Sequence, residues 1–91
     1  MDEKWMRMAL ALAEEALDAG ETPVGCVIVR AGEIIGRARN RREEARDPTA
    51  HAEMLAIREA ARKTGNWRLS DCEMYVTLEP CPMCAGAVSQ A

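Results

Sequence analysis

The sequence predicts one small domain of the α/β class, in which helices cover a small sheet. Apolar residues recur at three- and four-residue intervals in two segments, which is typical of amphipathic helices. Between those segments, two runs rich in β-branched residues flank a turn that contains glycine, which indicates a β-hairpin. The length of 91 residues allows one domain, so the prediction treats residues 1–91 as a single unit.

The first predicted helix lies near the N-terminus. Its apolar positions have helical spacing and comprise Trp5, Met8, Ala9, Leu12, Ala13, Ala16 and Leu17. Gly20 follows them and is the expected end of the helix, because glycine readily adopts the left-handed conformation that terminates helices. We expect this helix to pack its apolar side against the sheet.

The predicted hairpin follows, with strands at residues 24–30 and 34–39 and a turn at residues 31–33. Cys26 lies in the first strand, where a buried, reduced thiol is expected and metal coordination is the alternative. Residues 40–49 form a polar loop in this prediction. Its charges are of the kind that usually faces solvent, and the alternative is that its arginines contact phosphates beside a functional site.

A second helix is predicted for residues 51–64, with an apolar face made by Ala52, Leu55, Ala56 and Ala60. Asp47 and Pro48 have the residue types of an N-cap and of the first helical position. Gly65 is expected to end the helix.

A short buried strand is predicted at residues 74–78, and a third helix is predicted to begin at Cys81. Trp67 lies in the connection before the strand and is expected to fill the edge of the core. Cys72 is expected to be an ordinary thiol. The predicted order of elements is therefore helix, hairpin, helix, strand, helix.

Composition narrows the classes of function. The net charge of −3 gives no sign of a general nucleic-acid-binding protein, although a local basic face would still allow an RNA substrate. No apolar run approaches the roughly 20 residues that a membrane-spanning helix needs, and the N-terminus lacks a signal-peptide pattern. We therefore expect a cytoplasmic protein with no membrane partner, in a reducing compartment where paired cysteines bind metal more often than they form disulfides.

The residues that suggest chemistry are His51, Glu53, Cys81 and Cys84. An imidazole and two thiolates suit one catalytic zinc ion, with three protein ligands and a fourth position for water. Glu53 would then move protons rather than bind the metal. A CxxC pair or an HxE pair alone is a weak signal. Together, and with a proline before Cys81, the two pairs match the signature of zinc-dependent nucleobase deaminases.

The spacing of these residues sets geometric conditions. Cys81 and Cys84 are three residues apart at the predicted start of a helix, so both sulfurs face the same way. The positive end of the helix also favours their thiolate forms. His51 and Glu53, two residues apart, would not share a face inside a regular helix. We therefore expect the second helix to begin close to His51, where the entering backbone lets the two side chains converge.

Longer stretches of the sequence resemble one family that carries this signature. Residues 47–54 (DPTAHAEM) and 75–87 (YVTLEPCPMCAGA) are similar to bacterial tRNA adenosine deaminases, and residues 22–29 (TPVGCVIV) and 38–41 (ARNR) match the same family in the same order. The resemblance implies a cytidine-deaminase-like, three-layer α/β/α fold with a small mixed sheet. It also implies bound Zn²⁺, a homodimer, and a tRNA anticodon stem-loop whose wobble adenosine is converted to inosine.

The resemblance assigns roles to individual residues. Zinc ligation falls to His51, Cys81 and Cys84, and proton transfer falls to Glu53. Asn40 would hydrogen-bond the flipped base, whereas asparagine in such a segment is otherwise typical of a turn.

The pocket wall and the extent of the domain are also implied by the resemblance. The backbone around Pro23, Val24 and Gly25 would line the base pocket. The family continues past Ala91 with further strands and helices that this sequence does not contain. The expectation is therefore a truncated deaminase domain of the cytidylate type over residues 1–91, with weak or no activity as an isolated chain.

Other interpretations stay open. Guanine and cytosine deaminases that act on free bases share the HAE and PCxxC motifs. A non-catalytic zinc-binding fragment is another alternative, although structural zinc sites usually have four cysteine or histidine ligands. A CxxC redox protein is the last, and it leaves His51 and Glu53 without a role.

Overall fold

The computed structural model describes residues 3–77 and 86–88. Its elements follow the order α1 (Glu3–Asp18), β1 (Gly25–Arg30), β2 (Glu33–Arg39), α2 (Arg42–Ala45), α3 (Ala52–Thr64) and β3 (Cys72–Val76). Residues 86–88 are helical, in agreement with the helix predicted near the end of the chain. The predicted start of that helix, at Cys81, lies outside the described residues.

The described strands form one antiparallel sheet in the order β2-β1-β3. The hairpin between β1 and β2 is confirmed, and its turn residues Ala31 and Gly32 have φ values of 52° and 78°. Two consecutive positive φ values give a turn whose twist matches that of the strands. The register shifts between Ile28 and Val29, which makes Ile35 an additional residue in β2. The mixed sheet that the resemblance implies is not seen among these strands, since both of their pairings are antiparallel.

Helices cover both faces of the sheet. β1 lies at its centre, and side chains along a strand alternate between the two faces. On one face, Cys26 and Ile28 belong to the core cluster that α3 completes. On the other face, Val27 and Val29 belong to the cluster that contains Trp5 of α1. The predicted three-layer α/β/α arrangement is therefore confirmed, and Cys26 is the buried thiol that was expected.

Two glycines allow the helices to approach the sheet closely. A Cβ atom at Gly25 would collide with the backbone oxygen of Ala9, and one at Gly36 would collide with the backbone oxygen of Ala56. Neither glycine has a positive φ, so the absence of a side chain is what matters at both positions. α1 therefore packs directly on the start of β1, and α3 packs directly on the middle of β2.

The second long helix starts close to the predicted residue, but its cap differs from the one that was suggested. α3 begins at Ala52 with His51 as its N-cap, within one residue of the predicted bound, but Asp47 and Pro48 are not the N-cap and the first helical residue that their types suggested. Asp47 caps a local turn instead, because its Oδ1 accepts hydrogen bonds from the N–H and the hydroxyl of Thr49 at 2.8 and 2.7 Å. Within the segment that was predicted to be a loop, residues 42–45 form the short helix α2.

Two large hydrophobic residues that were predicted to pack against the core, Trp67 and Leu17, lie on the surface instead, so the prediction was wrong for both. Trp67 is 60% exposed and lies against the guanidinium of Arg68, which is 4.9 Å from the ring centroid. Leu17 is also 60% exposed, because the buried stripe of α1 is narrower than its apolar stripe. Across residues 3–77 and 86–88, no helix combines the length and the apolar character that a bilayer crossing requires.

Candidate functional site

His51 lies at the junction between an extended segment and α3. Its φ and ψ of −82° and 149° are those of extended backbone, and its carbonyl accepts the first helical hydrogen bond, from the N–H of Leu55 at 3.0 Å. His51 is therefore the N-cap and not part of the regular helix. The expectation that the helix begins close to His51 is confirmed, and the rule that separates residues two apart on a helix does not apply to His51 and Glu53.

Glu53 is a buried carboxylate in the first turn of α3. The residue is 3% exposed, which is uncommon for glutamate. A glutamate that is buried as a residue is a candidate for binding or proton transfer, because burying a charged group is costly unless something else stabilises it.

Asn40 fixes the beginning of α3. Its side-chain Oδ1 accepts a hydrogen bond of 2.7 Å from the backbone N–H of Ala52. That N–H is one of the amides that a helix leaves without an internal partner, and the side chain of His51, the N-cap, does not satisfy any of them. Asn40 is 4% exposed and lies 12 residues before Ala52 in the sequence. The base contact predicted for Asn40 stays a prediction.

The backbone of residues 23–25 connects this junction to the end of β3. The N–H of Asn40 donates to the carbonyl of Val24 at 3.1 Å. The next residue, Gly25, pairs reciprocally with Thr77: its N–H donates to the Thr77 Oγ1 at 3.2 Å, and the Thr77 N–H donates to its carbonyl at 3.2 Å. Consecutive hydrogen bonds thus join the end of β3 to the start of α3. Pro23, which precedes them, is exposed.

Cys81 and Cys84 lie outside the described residues. Among residues 3–77 and 86–88, no group of three or more histidine, cysteine, aspartate or glutamate side chains is arranged to hold a metal ion. The donor chemistry that is described fits one, because a half-buried histidine at the start of a helix and a buried glutamate two residues later are the expected half of a catalytic zinc site.

Glu21 is a helix-capping residue that the sequence did not indicate. Its buried carboxylate accepts hydrogen bonds from the backbone N–H groups of Glu43 and Glu44, at 3.1 and 2.8 Å, and so caps α2 from a distant part of the chain. Burial by itself raises the pKa of Glu21, but these backbone donors and the nearby charge of Arg39 outweigh it and hold the pKa below its ordinary value. A single acid after a helix-ending glycine carries no periodicity by which it could be recognised.

A cleft of about 620 Å³ lies beside β2, between α1 and α3. Its charged lining residues are four arginines and three glutamates: Arg37, Arg39, Arg41, Arg62, Glu15, Glu44 and Glu59. Arg39 and Arg41 pair with Glu44 at 2.7 and 3.7 Å, and Glu59 accepts a hydrogen bond from the backbone N–H of Arg37. The cleft does not include His51 or Glu53, but two of its arginines directly flank Asn40.

The chain matches a family model over its whole length. The model describes the zinc-binding region of cytidine and deoxycytidylate deaminases, and it covers residues 1–91. Among curated proteins, the tRNA-specific adenosine deaminase of Bacillus subtilis (strain 168) is 55% identical over 87 residues, which are 96% of this chain and 54% of that protein. This chain spans about half the length of the bacterial relatives that it matches.

Solved structures of deaminases also match this chain. A structure from a study of A-to-I editing by tRNA:A34 deaminases at the wobble position has a TM-score of 0.94 and 46% identity, and the match covers 98% of this chain and 68% of that one. The guanine deaminase of Bacillus subtilis also has a TM-score of 0.94, with 45% identity, over 100% of this chain and 59% of its own. Both proteins share the arrangement of helices and sheet that is described here.

Proposed function

Because the chain belongs to the cytidine and deoxycytidylate deaminase family, over the family's zinc-binding region, we propose that it carries the catalytic centre of a zinc-dependent hydrolytic deaminase of a nucleobase. The substrate we propose is the wobble adenosine of a tRNA anticodon, and the product is inosine. Bacterial relatives that are 54–55% identical carry the name tRNA-specific adenosine deaminase.

The observation that carries the proposal is the hydrogen-bonded connection between the end of β3 and the start of α3. It runs from Thr77 through Gly25, Val24 and Asn40 to the residue that follows His51. Cys81 lies four residues after Thr77, and four residues span at most about 14 Å. Such a connection is compatible with a zinc ion shared by His51 and Cys81.

We assign the metal ligands to His51, Cys81 and Cys84. A zinc ion held there would supply the Lewis acidity that makes a water molecule a competent nucleophile near neutral pH. Glu53 takes a proton from that water and delivers it to the ring nitrogen, and it then passes the proton of the newly added hydroxyl to the departing amine. Oxygen bonds to the amidine carbon, the carbon–nitrogen bond to the amine breaks, and ammonia leaves.

The test uses Glu53→Gln in this chain extended by the C-terminal segment of the Bacillus subtilis relative, assayed on an anticodon stem-loop by the formation of inosine. Proton transfer by a positioned side chain contributes about 10²–10⁴-fold to the rate, so we expect a loss in that range with zinc still bound. Glu14→Gln, on the exposed side of α1, is the matched control and should retain full activity. An active Glu53→Gln variant would refute the role of Glu53, and an inactive parent would refute the proposed function.

Deamination of free guanine is the second candidate. The guanine deaminase of Bacillus subtilis is as similar in structure as the tRNA deaminase, with the same TM-score of 0.94. The same extended chain should be incubated with guanine, cytosine and adenine as well as with the stem-loop. Release of ammonia from guanine, without inosine formation in the stem-loop, would favour this alternative.

For the RNA we propose contacts with the cleft beside β2, since its arginines continue from the residues that flank Asn40. We also propose that the protein acts as a homodimer in the cytoplasm, where its tRNA substrate would be found. The oligomeric state is testable by light scattering coupled to size-exclusion chromatography. A monomer at the concentrations that support activity would contradict this part of the proposal.

A further inference from the structure

The start of α3 is stabilised from outside the helix. A helix usually begins with a residue whose own side chain accepts a hydrogen bond from the first amides. His51 occupies that N-cap position and makes no such bond. The acceptor is supplied by Asn40, at 2.7 Å from the N–H of Ala52. A different residue therefore caps the helix in place of the N-cap side chain.

The orientation of the Asn40 amide follows from this bond. The N–H of Ala52 is a donor, so the side-chain atom that faces it must be the acceptor Oδ1 and not the amino group. The backbone N–H of Asn40 is bonded to Val24 at 3.1 Å, and its carbonyl accepts from the guanidinium of Arg39 at 3.0 Å. Asn40 thus makes three hydrogen bonds, through its side chain, its backbone N–H and its carbonyl, and it is buried. These bonds restrict its position.

We infer that Asn40 is a positioning residue: by capping α3 at Ala52 it fixes the extended backbone of His51 and the first-turn place of Glu53, and so sets the geometry of the zinc site. Groups that hydrogen-bond behind a metal ligand commonly change metal affinity by roughly 10- to 100-fold when they are removed. The metal-binding part of this inference rests on the proposed function, whereas the capping part does not. The role is separate from the predicted contact with the base, which would use the amino group of Asn40.

Two substitutions separate the acceptor from the donor. Asn40→Ala removes both groups. Asn40→Asp keeps an acceptor for Ala52, in a place where the positive end of the helix favours a negative charge, but it has no donor for a base. Glu21→Ala is the matched control, because it removes a buried side-chain acceptor from the start of α2 while leaving α3 capped.

The first readout is hydrogen exchange of the Ala52 amide, measured relative to the amide of Ile28 in the central strand to correct for overall stability. In Asn40→Ala the relative exchange rate should rise on the order of tenfold. In Asn40→Asp and Glu21→Ala it should stay at the wild-type value. This readout needs neither metal nor substrate, so it remains informative even if the protein proves not to be a deaminase.

The second readout is the affinity for Co²⁺, used as a spectroscopic probe of the zinc site. Asn40→Ala should weaken binding by roughly 10- to 100-fold and change the cobalt absorption bands, and Asn40→Asp should restore both. A residue that only contacts the base would instead show wild-type cobalt affinity in both variants and a raised KM in both.

The inference is overturned if Asn40→Ala leaves Ala52 exchange unchanged, if Asn40→Asp behaves like Asn40→Ala, or if Glu21→Ala reproduces the Ala52 effect. Should Asn40→Ala fail to fold, Asn40→Asp alone decides, since it must match the wild type in exchange. A wild-type chain that does not bind Co²⁺ would refute the proposed function and the metal-binding part of the inference together. The exchange measurements would then still decide the capping role.

Discussion

Replacing Gly36 with alanine should push α3 away from the sheet. An added Cβ would meet the backbone oxygen of Ala56 well inside contact distance, and it would lie 3.2 Å from the Cβ of Ala60. Carbon–oxygen contacts in proteins are usually about 3.3–3.6 Å, so strand and helix must separate by on the order of 1 Å. The backbone atom of Ala56 cannot rotate aside as a side chain could.

The expected cost follows from that separation. Overpacking a core typically costs about 1–3 kcal/mol, and the Gly-to-Ala change returns about 0.4–1 kcal/mol by restricting the unfolded chain. Gly36 has no positive φ, so backbone strain adds nothing. The net loss of unfolding free energy should be about 1–2 kcal/mol, which for a chain of this size lowers Tm by roughly 4–15 °C.

The assay is thermal and urea denaturation followed by circular dichroism. Gly86→Ala is the matched control: Gly86 is helical, and nothing among the described residues lies within 4 Å of an added Cβ. That variant should be as stable as the wild type or more stable. If Gly36→Ala unfolds within about 0.5 kcal/mol of the wild type, the direct contact between β2 and α3 is not as described.

Two further predictions concern charge. Glu21→Gln should be less stable than the wild type above about pH 4.5, the ordinary pKa of this carboxyl. Because the folded-state pKa of Glu21 is lowered, the difference in stability between the wild type and Glu21→Gln should shrink as pH falls below that value. A difference in Tm that does not change from pH 7 to pH 3 would contradict this prediction. The double substitution Arg37→Ala, Arg41→Ala should weaken stem-loop binding and reduce the salt dependence by about 1–2 in log–log slope, whereas the exposed Arg30→Ala, outside the cleft, should change neither in a filter-binding titration.

The elements that the sequence predicted well are those with strong periodicity. The stripe of α1, the hairpin around Ala31 and Gly32, and the alanine face of α3 all appear where the pattern indicated. Each of these patterns arises because one side of the element is buried, so that apolar residues recur at regular intervals along the chain. The placement of His51 at the first residue of the junction could also be predicted, because its spacing from Glu53 required it.

The two helix caps that the sequence did not predict are formed by residues far from the helix in the sequence. The pair Asp47-Pro48 resembled a helix start, but the hydroxyl and N–H of Thr49 compete for the Asp47 carboxylate. The actual cap comes from Asn40, and α2 is capped by Glu21; neither acceptor is adjacent in the sequence to the helix that it stabilises. Hydrophobicity alone placed Trp67 in the core, whereas the residue is largely exposed.

The central position of β1 has a consequence for how the protein is made. In the native state both edges of this strand are paired and its residues from Gly25 to Val29 are buried. Before the two helices dock, the same stretch is a short run of β-branched side chains whose only charge is at Arg30, a composition typical of segments that stack into intermolecular zippers. Refolding yield should therefore fall steeply with protein concentration, and a chaperone that shields extended apolar segments should restore it.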